Sequence, residues 1–315
     1  MSLSAVDQRI RSLRPPKPLV DPHRAHGHVR EQERRPGDVM EETLTVFLAG
    51  AECPFTCSFC DLWRWTLDGP TPPGALAGQL DDVLSAVGVS GIQRLKLYNA
   101  SNFFDSHAVP RQDFERIAAV AQPFRGVTVE SHASTVGAKA LEFAARIPGR
   151  LEVAMGLETI HPGAAALSNK KLDLERFDRA ADFLGGNGMD LRVFVLLGAP
   201  YVPATESMEW TIRTVDHAVR RGAALVSIIP VRGGNGELER LQELGEFTPP
   251  TLADLETALD RYVESSSTVV TADLWDVERL VTCDKCGKDR IARLRRMNAT
   301  GVIEARVTCE ACGAA

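Results

Sequence analysis

The sequence predicts an α/β protein: parallel strands joined by helical crossovers, followed by a small cysteine-rich module at the end of the chain. Three observations lead there. The chain has 315 residues, enough for one large domain and an appendage. From Thr43 onward, short runs rich in Val, Ile and Leu alternate with helical stretches, and six β–α units in order imply parallel strands with right-handed crossovers. Near the C-terminus two C-x2-C pairs stand 22 residues apart, a metal-ligand spacing. Periodicity alone does not separate an open doubly wound sheet from a barrel.

Residues 1–41 come first. They are rich in Arg, Pro and His, show no sustained apolar period, and read as an extended arm around the domain with a short helix over 5–13. Residues 42–277 form the main domain. Its expected strands are 44–49, 92–98, 127–131, 151–157, 190–197 and 224–230. Its expected helices are 75–87, 111–121, 138–147, 174–186, 205–221, 237–244 and 251–265. Asp173 is placed to cap the helix over 174–186, and Gly185-Gly186-Asn187-Gly188 to stop it. Thr248-Pro249-Pro250-Thr251 marks the start of the helix over 251–265. Gly233-Gly234-Asn235-Gly236 lacks the Lys-Ser/Thr of a P-loop and reads as a flexible substrate loop or a plain turn.

Residues 278–315 read as a zinc-ribbon-like module. Cys283, Cys286, Cys309 and Cys312 supply four thiolates, and Arg290–Arg296 and Val302–Val307 alternate as the two strands of a β-hairpin between them. Tetrahedral zinc is the expected ion and an auxiliary iron–sulfur cluster the alternative. The basic run, with Arg290, Arg293, Arg295 and Arg296, suits RNA docking, protein docking or structural stapling.

All seven cysteines fall into ligand spacings, which leaves none for a disulfide framework and points to a reducing compartment. There is no run of 18 apolar residues and no signal-peptide core, so the expectation is a cytoplasmic protein with no membrane partner. A net charge of −6 argues against a wholly basic nucleic-acid surface but leaves room for local basic patches. Oligomeric state is not legible.

The other three cysteines, Cys53, Cys57 and Cys60, follow the apolar run Leu44–Leu48 with the spacing C-x3-C-x2-C. Three thiolates on one short loop can hold three corners of a cubane iron–sulfur cluster, leaving the fourth iron without a protein ligand. Zinc is the weaker reading, since it prefers four ligands in paired spacings. Further segments at strand ends are Lys96–Asp105, Val129-Glu130-Ser131-His132, Glu152–Thr159, Asn169-Lys170-Lys171 and Arg192–Pro200.

With these motifs, residues 42–265 resemble the radical S-adenosylmethionine (radical SAM) superfamily. The resemblance runs to the subgroup of the elongator catalytic subunit, oxygen-independent coproporphyrinogen oxidase and the archaeosine synthase radical SAM subunit. It implies a partial (β/α)6 barrel, and a 4Fe–4S cluster on Cys53, Cys57 and Cys60 whose open iron chelates the methionine moiety of SAM. Phe59 would lie beside the cluster. Tyr98, Asn99 and Ser101 would stand where relatives bind the SAM amino group, although the relatives' glycines are missing here. Glu130 and Glu158 would bond the ribose or methionine part, Lys170 the methionine carboxylate, and Leu196 the adenine. Glu158 and Lys170 are thus expected to serve SAM rather than the fold. His132 would be a substrate contact or a structural histidine, and Arg192 a second substrate contact. The subgroup implies hydrogen abstraction from a modified nucleoside in tRNA with carbon–nitrogen bond fission. A small molecule or peptide is the alternative substrate, and the electron donor would be of the flavodoxin or ferredoxin kind.

Overall fold

The computed structural model describes residues 4–264 and 268–313. Its strands are β1 (Gly27–Arg35), β2 (Val39–Phe47), β3 (Arg94–Tyr98), β4 (Gly126–Glu130), β5 (Arg150–Glu158), β6 (Asp190–Leu197), β7 (Leu225–Pro230) and β8 (Val269–Ala272). Its helices are α1 (Ala5–Leu13), α2 (Ala75–Val87), α3 (Arg111–Val120), α4 (Ala138–Ala144), α5 (Pro162–Leu167), α6 (Leu174–Gly186), α7 (Ser207–Arg220), α8 (Glu237–Glu243), α9 (Leu252–Tyr262) and α10 (Gly287–Thr300). The strands pair in chain order from β1 to β8; β1 is antiparallel to β2, and every later pair is parallel.

The sheet curls into a partial barrel. In a flat sheet β1 and β6 would lie about 24 Å apart, at roughly 4.8 Å per strand. Instead Arg192 of β6 donates to Glu33 of β1 at 2.7 Å, and Arg35 of β1 donates to Glu152 of β5 at 2.6 Å. The strands alternate to suit. Leu95 and Leu97, Val127 and Val129, and Val193 and Val195 are fully buried under the helices. Their neighbours Arg94 and Lys96, Thr128 and Glu130, and Arg192 and Phe194 face the lumen. Burying each Leu or Val on the outer face contributes about 1.5–3 kcal/mol. The lumen face instead carries charge, and charge there must be paired.

Each expected strand and helix of the main domain appears, and α2 and α6 span the predicted ranges. Asp173 accepts from the amide of Arg176, as its capping role requires. Residue 265, the predicted last residue of α9, lies outside the described residues. The segment read as an arm does contain the helix over 5–13, and it also supplies the edge strand β1. That strand, Gly-His-Val-Arg-Glu-Gln-Glu-Arg-Arg, has no apolar alternation because its inward residues are charged. The four-residue β8 was too short to register.

The expected β-hairpin of the last module is replaced by a helix. Residues 287–300 form α10, with Ile291, Leu294 and Met297 buried at helical spacing and Gly301 closing it at φ 69°. The alternation of basic and apolar residues hid a 3.6-residue period. The chain after Gly301 runs back along α10 without forming a strand. Among the described residues no helix is long and apolar enough to cross a membrane.

Candidate active site

The loop after β2 carries Cys53, Cys57 and Cys60, and neighbouring elements hold it by its backbone. Asn235, from the glycine loop after β7, donates to the carbonyls of Cys57 (3.1 Å) and Ser58 (2.8 Å). Asn169 donates to the Thr56 carbonyl at 2.8 Å, and the Ser58 amide reaches Ser168 O at 2.9 Å. The Gly-Gly-Asn-Gly segment is therefore a clamp on the cysteine loop. An asparagine flanked by glycines was the sequence signal of that role. Helix α1 lies beside the loop: Asp7 accepts from Asn169 (2.8 Å), Arg9 pairs with Glu237 (3.0 Å), and Arg14 pairs with Glu52 (2.8 Å).

The three thiols line one cavity together with Arg14, Phe55, Trp63 and Ala100. Asn102 Nδ2 lies 3.5 Å from Cys53 Sγ, a donor aimed at sulfur. Burial pushes the Cys57 thiol up to about 12, against the pull of Lys170, and burial raises Cys53 and Cys60 as well. Loading a metal on these groups therefore displaces protons.

The ends of β3, β4 and β5 meet this loop. Glu130, at the end of β4, accepts from the amides of Asn99 and Ala100, both at 2.7 Å. Burial nevertheless raises its carboxyl to about 7. This fixes the turn after β3, in which Ala100 takes φ 54°. The side chains of Asn99 and Ser101 are buried there, at 0% and 9% exposure. Neither Nδ2 nor Oδ1 of Asn99, nor Oγ of Ser101, has a hydrogen-bond partner. A buried polar atom left unpaired costs about 1–3 kcal/mol, and a polar ligand would satisfy this set.

Glu158, at the end of β5, and Lys170 bond each other at 2.7 Å. A β-bulge between Gly156 and Glu158 turns the carboxylate back over Gly156, where a Cβ would collide with it and stand 2.6 Å from Lys170 Nζ. Burial opposes the Lys170 ammonium, yet Glu158 and the nearby cysteines raise its pKa above the usual lysine value. The ammonium also lies 5.8 Å from the Phe59 ring centroid. The expectation that this pair serves a ligand rather than the fold needs amending: the two residues already satisfy each other. Leu196 packs with Phe59, Ala199 and Val231 on the same side. Of the seven non-glycine residues described with positive φ, Ala100, Glu158, Asn169 and Lys171 border this site, a concentration of backbone strain typical of functional regions.

His132 and Arg192 are placed differently. His132 Nε2 meets the Lys170 carbonyl at 3.1 Å, its Nδ1 meets Ser134 Oγ at 2.7 Å, and its ring stacks on Phe55 at 4.1 Å. Burial lowers it to about 3, so it is a neutral strut between the cysteine loop and Lys170. Arg192 lies near the start of β6, at the floor of the lumen. It makes two bonds to Glu33 (2.9 and 2.7 Å) and one to Glu152 (2.9 Å). Lys96 and Arg35 complete the network. Tyr98 stands above this floor, 6.3 Å from the rings of both Phe47 and Phe194.

No protein-family model matches the chain, and no curated protein sequence matches it. Solved structures do. Methanocaldococcus infernus Elp3 superposes with a TM-score of 0.52 at 13% identity, covering 72% of this chain and 59% of that one. Streptococcus suis SuiB bound to S-adenosylmethionine gives 0.53 at 13%, covering 74% and 51%. Methylornithine synthase gives 0.54 at 15%, covering 79% and 67%. The chain thus spans little more than half the length of the first two. The fold is that of the radical SAM enzymes.

The radical SAM fold implies a cluster and SAM, and the residues present fit both. Three thiols on one loop open into one cavity. Asn99 and Ser101, on either side of the cavity-lining Ala100 in the chain, hold unpartnered donors and acceptors. Outside the barrel proper, Cys283, Cys286, Cys309 and Cys312 bring their sulfurs within 4.8 Å of one another, a metal-ligand group as the spacing predicted. The basic run between them is largely spoken for. Arg290 bonds Glu256 at 2.6 Å and Arg293 bonds Asp260 at 2.5 Å, both arginines being buried. Arg295 and Arg296 are exposed and pair with Glu278 and Glu304.

Proposed function

We propose that this chain is a radical SAM enzyme that holds a 4Fe–4S cluster on Cys53, Cys57 and Cys60 and takes a hydrogen atom from a substrate in the barrel lumen. When bound, the cluster and SAM would supply one-electron cleavage of the sulfonium to a 5′-deoxyadenosyl radical. The observation that carries the reading is the orphaned polar set of Asn99 and Ser101 beside a three-thiol cavity. These side chains would bond the polar groups of the methionine moiety. Lys170, already charged and desolvated, would meet its carboxylate while Glu158 keeps the ammonium in place. Leu196 and Phe59 would give the apolar wall for the adenine. Glu130 would hold the Asn99–Ala100 backbone still during these contacts. An external one-electron donor of the flavodoxin or ferredoxin class completes the reading, and zinc is our assignment for the separate C-terminal cysteine group.

Two substrate classes were expected. A modified nucleoside in tRNA drew support from the resemblance to the archaeosine synthase subunit joined to the basic run near the chain end. The burial of Arg290 and Arg293 in ion pairs removes two of the four arginines that would meet RNA, which favours a small molecule or peptide. Aromatic lumen walls at Phe47, Tyr98 and Phe194, over a floor sealed by ion pairs, suit such a substrate. The test is anaerobic reconstitution followed by reductive SAM cleavage, in the native protein and with all three loop cysteines changed to alanine. Loss of cluster and cleavage in the variant is expected; cleavage that survives would overturn the reading. Binding of native tRNA at about 50 mM salt, with a steep salt dependence, would return the substrate to the nucleic-acid class.

A further inference from the structure

The barrel does not close on itself. The sheet runs from β1 to β8, and the two end strands do not pair. Helix α10 lies along both. On one side Asn298 meets β8: its Oδ1 accepts from the Ala272 amide at 2.9 Å and its Nδ2 donates to the Ala272 carbonyl at 2.8 Å. Those are the two groups of Ala272 that point away from β7, so one side chain satisfies the free edge of the sheet. On the other side Gly301, the C-cap of α10, sits against β1 so closely that a Cβ would collide with the Arg34 guanidinium. Ile291, Leu294 and Met297 fill the seam between.

What keeps α10 there is less obvious. The chain from Gly301 to Gly313 folds back along it without regular structure apart from one bridge and a turn, and buries no side chain; Val302 and Ile303 are about half exposed. Polar contacts hold it. Arg293 donates to the Glu304 carbonyl (2.7 Å), Arg296 pairs with Glu304 (2.7 Å), and Arg306 pairs with Asp260 (2.9 Å). Arg293 is buried, but the Arg296 and Arg306 pairs are exposed, and exposed pairs hold little. The path ends where Cys309 and Cys312 reach Cys283 and Cys286, the residue at the N-terminus of α10. Cys286 and Cys312 sulfurs stand 3.7 Å apart. One ion about 2.3 Å from each of four thiolates sets tetrahedral edges of about 3.8 Å. Thiolates of a multi-iron cluster bind different irons and stand wider. Four protein ligands also leave no open position, the mark of a structural site.

We propose that a zinc ion on Cys283, Cys286, Cys309 and Cys312 clasps the returning tail to the start of α10, and so seats α10 in the seam that closes the side of the barrel. The ion is architectural for the chamber and takes no part in its chemistry. This rests on the single-ion assignment of these cysteines and not on the chemistry at Cys53, Cys57 and Cys60.

The experiment uses the full chain, with metal analysis and amide hydrogen exchange. One zinc per chain is expected, and it stays when the three loop cysteines are changed to alanine, so failure of the cluster reading leaves this result untouched. Stripping zinc with a chelator, or Cys309→Ser with Cys312→Ser, should speed exchange at Ala272 and along α10 by at least about tenfold, since without the clasp the tail keeps only its polar contacts. Amides of α3 and α4, which follow β3 and β4 in the middle of the sheet, should not change. Asn298→Ala should speed Ala272 exchange to a similar degree while zinc stays bound, which covers the case of cysteine variants that fail to fold. Iron with sulfide at the four cysteines would overturn the proposal. So would unchanged exchange at Ala272 and α10 in the zinc-free protein.

Discussion

Lys170→Met tests whether the Glu158–Lys170 pair belongs to the fold, to SAM, or to both. The two side chains are 14% and 11% exposed and bond at 2.7 Å. Removing the lysine leaves a buried carboxylate with no counter-charge, which costs about 3–5 kcal/mol. At the roughly 2 °C per kcal/mol of a chain this long, the melting temperature should fall by about 6–10 °C. Adding Glu158→Gln removes the stranded charge and should restore most of that loss, because a buried ion pair replaced on both sides is often near neutral. SAM separates the two roles. At a hundredfold excess over its dissociation constant a ligand adds about 2.7 kcal/mol, some 5 °C here. The native protein, loaded anaerobically with its cluster, should show that rise; the double variant should fold normally and show little of it. The assay is differential scanning calorimetry with and without SAM. A double variant with the full SAM-induced rise would refute the role assigned to Lys170, and a single variant melting at the native temperature would refute the stranded-charge argument.

Two other perturbations bear on the site and its floor. Asn99→Leu and Ser101→Ala remove buried polar atoms that lack partners, so each should leave the ligand-free protein as stable or more stable, by up to about 1–3 kcal/mol, while weakening SAM affinity in equilibrium titrations; lower stability with unchanged affinity would count against a ligand role. Arg192→Met should cost about 1.5–3 kcal/mol in denaturant melts at pH 7, because it removes charge-assisted bonds from Glu33 and Glu152 at the lumen floor, which keep Lys96 and Arg35 as partners. The same network sets a pH dependence. Burial opposes the Glu152 carboxylate, but Arg192 and Arg35 hold it down at about 2. A folded-state value below the unfolded one contributes stability that is complete above about pH 4.5 and is lost as pH falls toward 2. The native protein should therefore lose stability steeply across that window and the Arg192→Met variant, which keeps Arg35 beside Glu152, less steeply; parallel pH profiles would contradict the assignment.

Local patterns were enough to determine the element order. Alternating apolar runs gave six of the strands, and caps such as Asp173 and stops such as Gly185–Gly188 gave helix limits, because propensity and capping act over a few residues. The three-cysteine loop and the four terminal cysteines were legible for the same reason: ligand spacing is a local property. Contacts between residues far apart in the chain were decided only by the tertiary structure. Strand β1 looked like a polar arm because its Glu33 and Arg35 are matched by Glu152 and Arg192, more than a hundred residues away, and a single strand carries no trace of that match. The arginines of α10 looked free for RNA, yet Arg290 and Arg293 are neutralised by Glu256 and Asp260 of α9. Glu158 and Lys170 were read as two ligand contacts, and the bulge over Gly156 makes them a pair first. Asn235 was a turn residue until the loop after β7 folded onto the cysteines. Spacing shows which groups can hold a metal or face a lumen. Whether a charge is free or already paired depends on the groups that the folded chain brings within a few ångströms of it, and those groups lie too far along the sequence to leave a periodic sign.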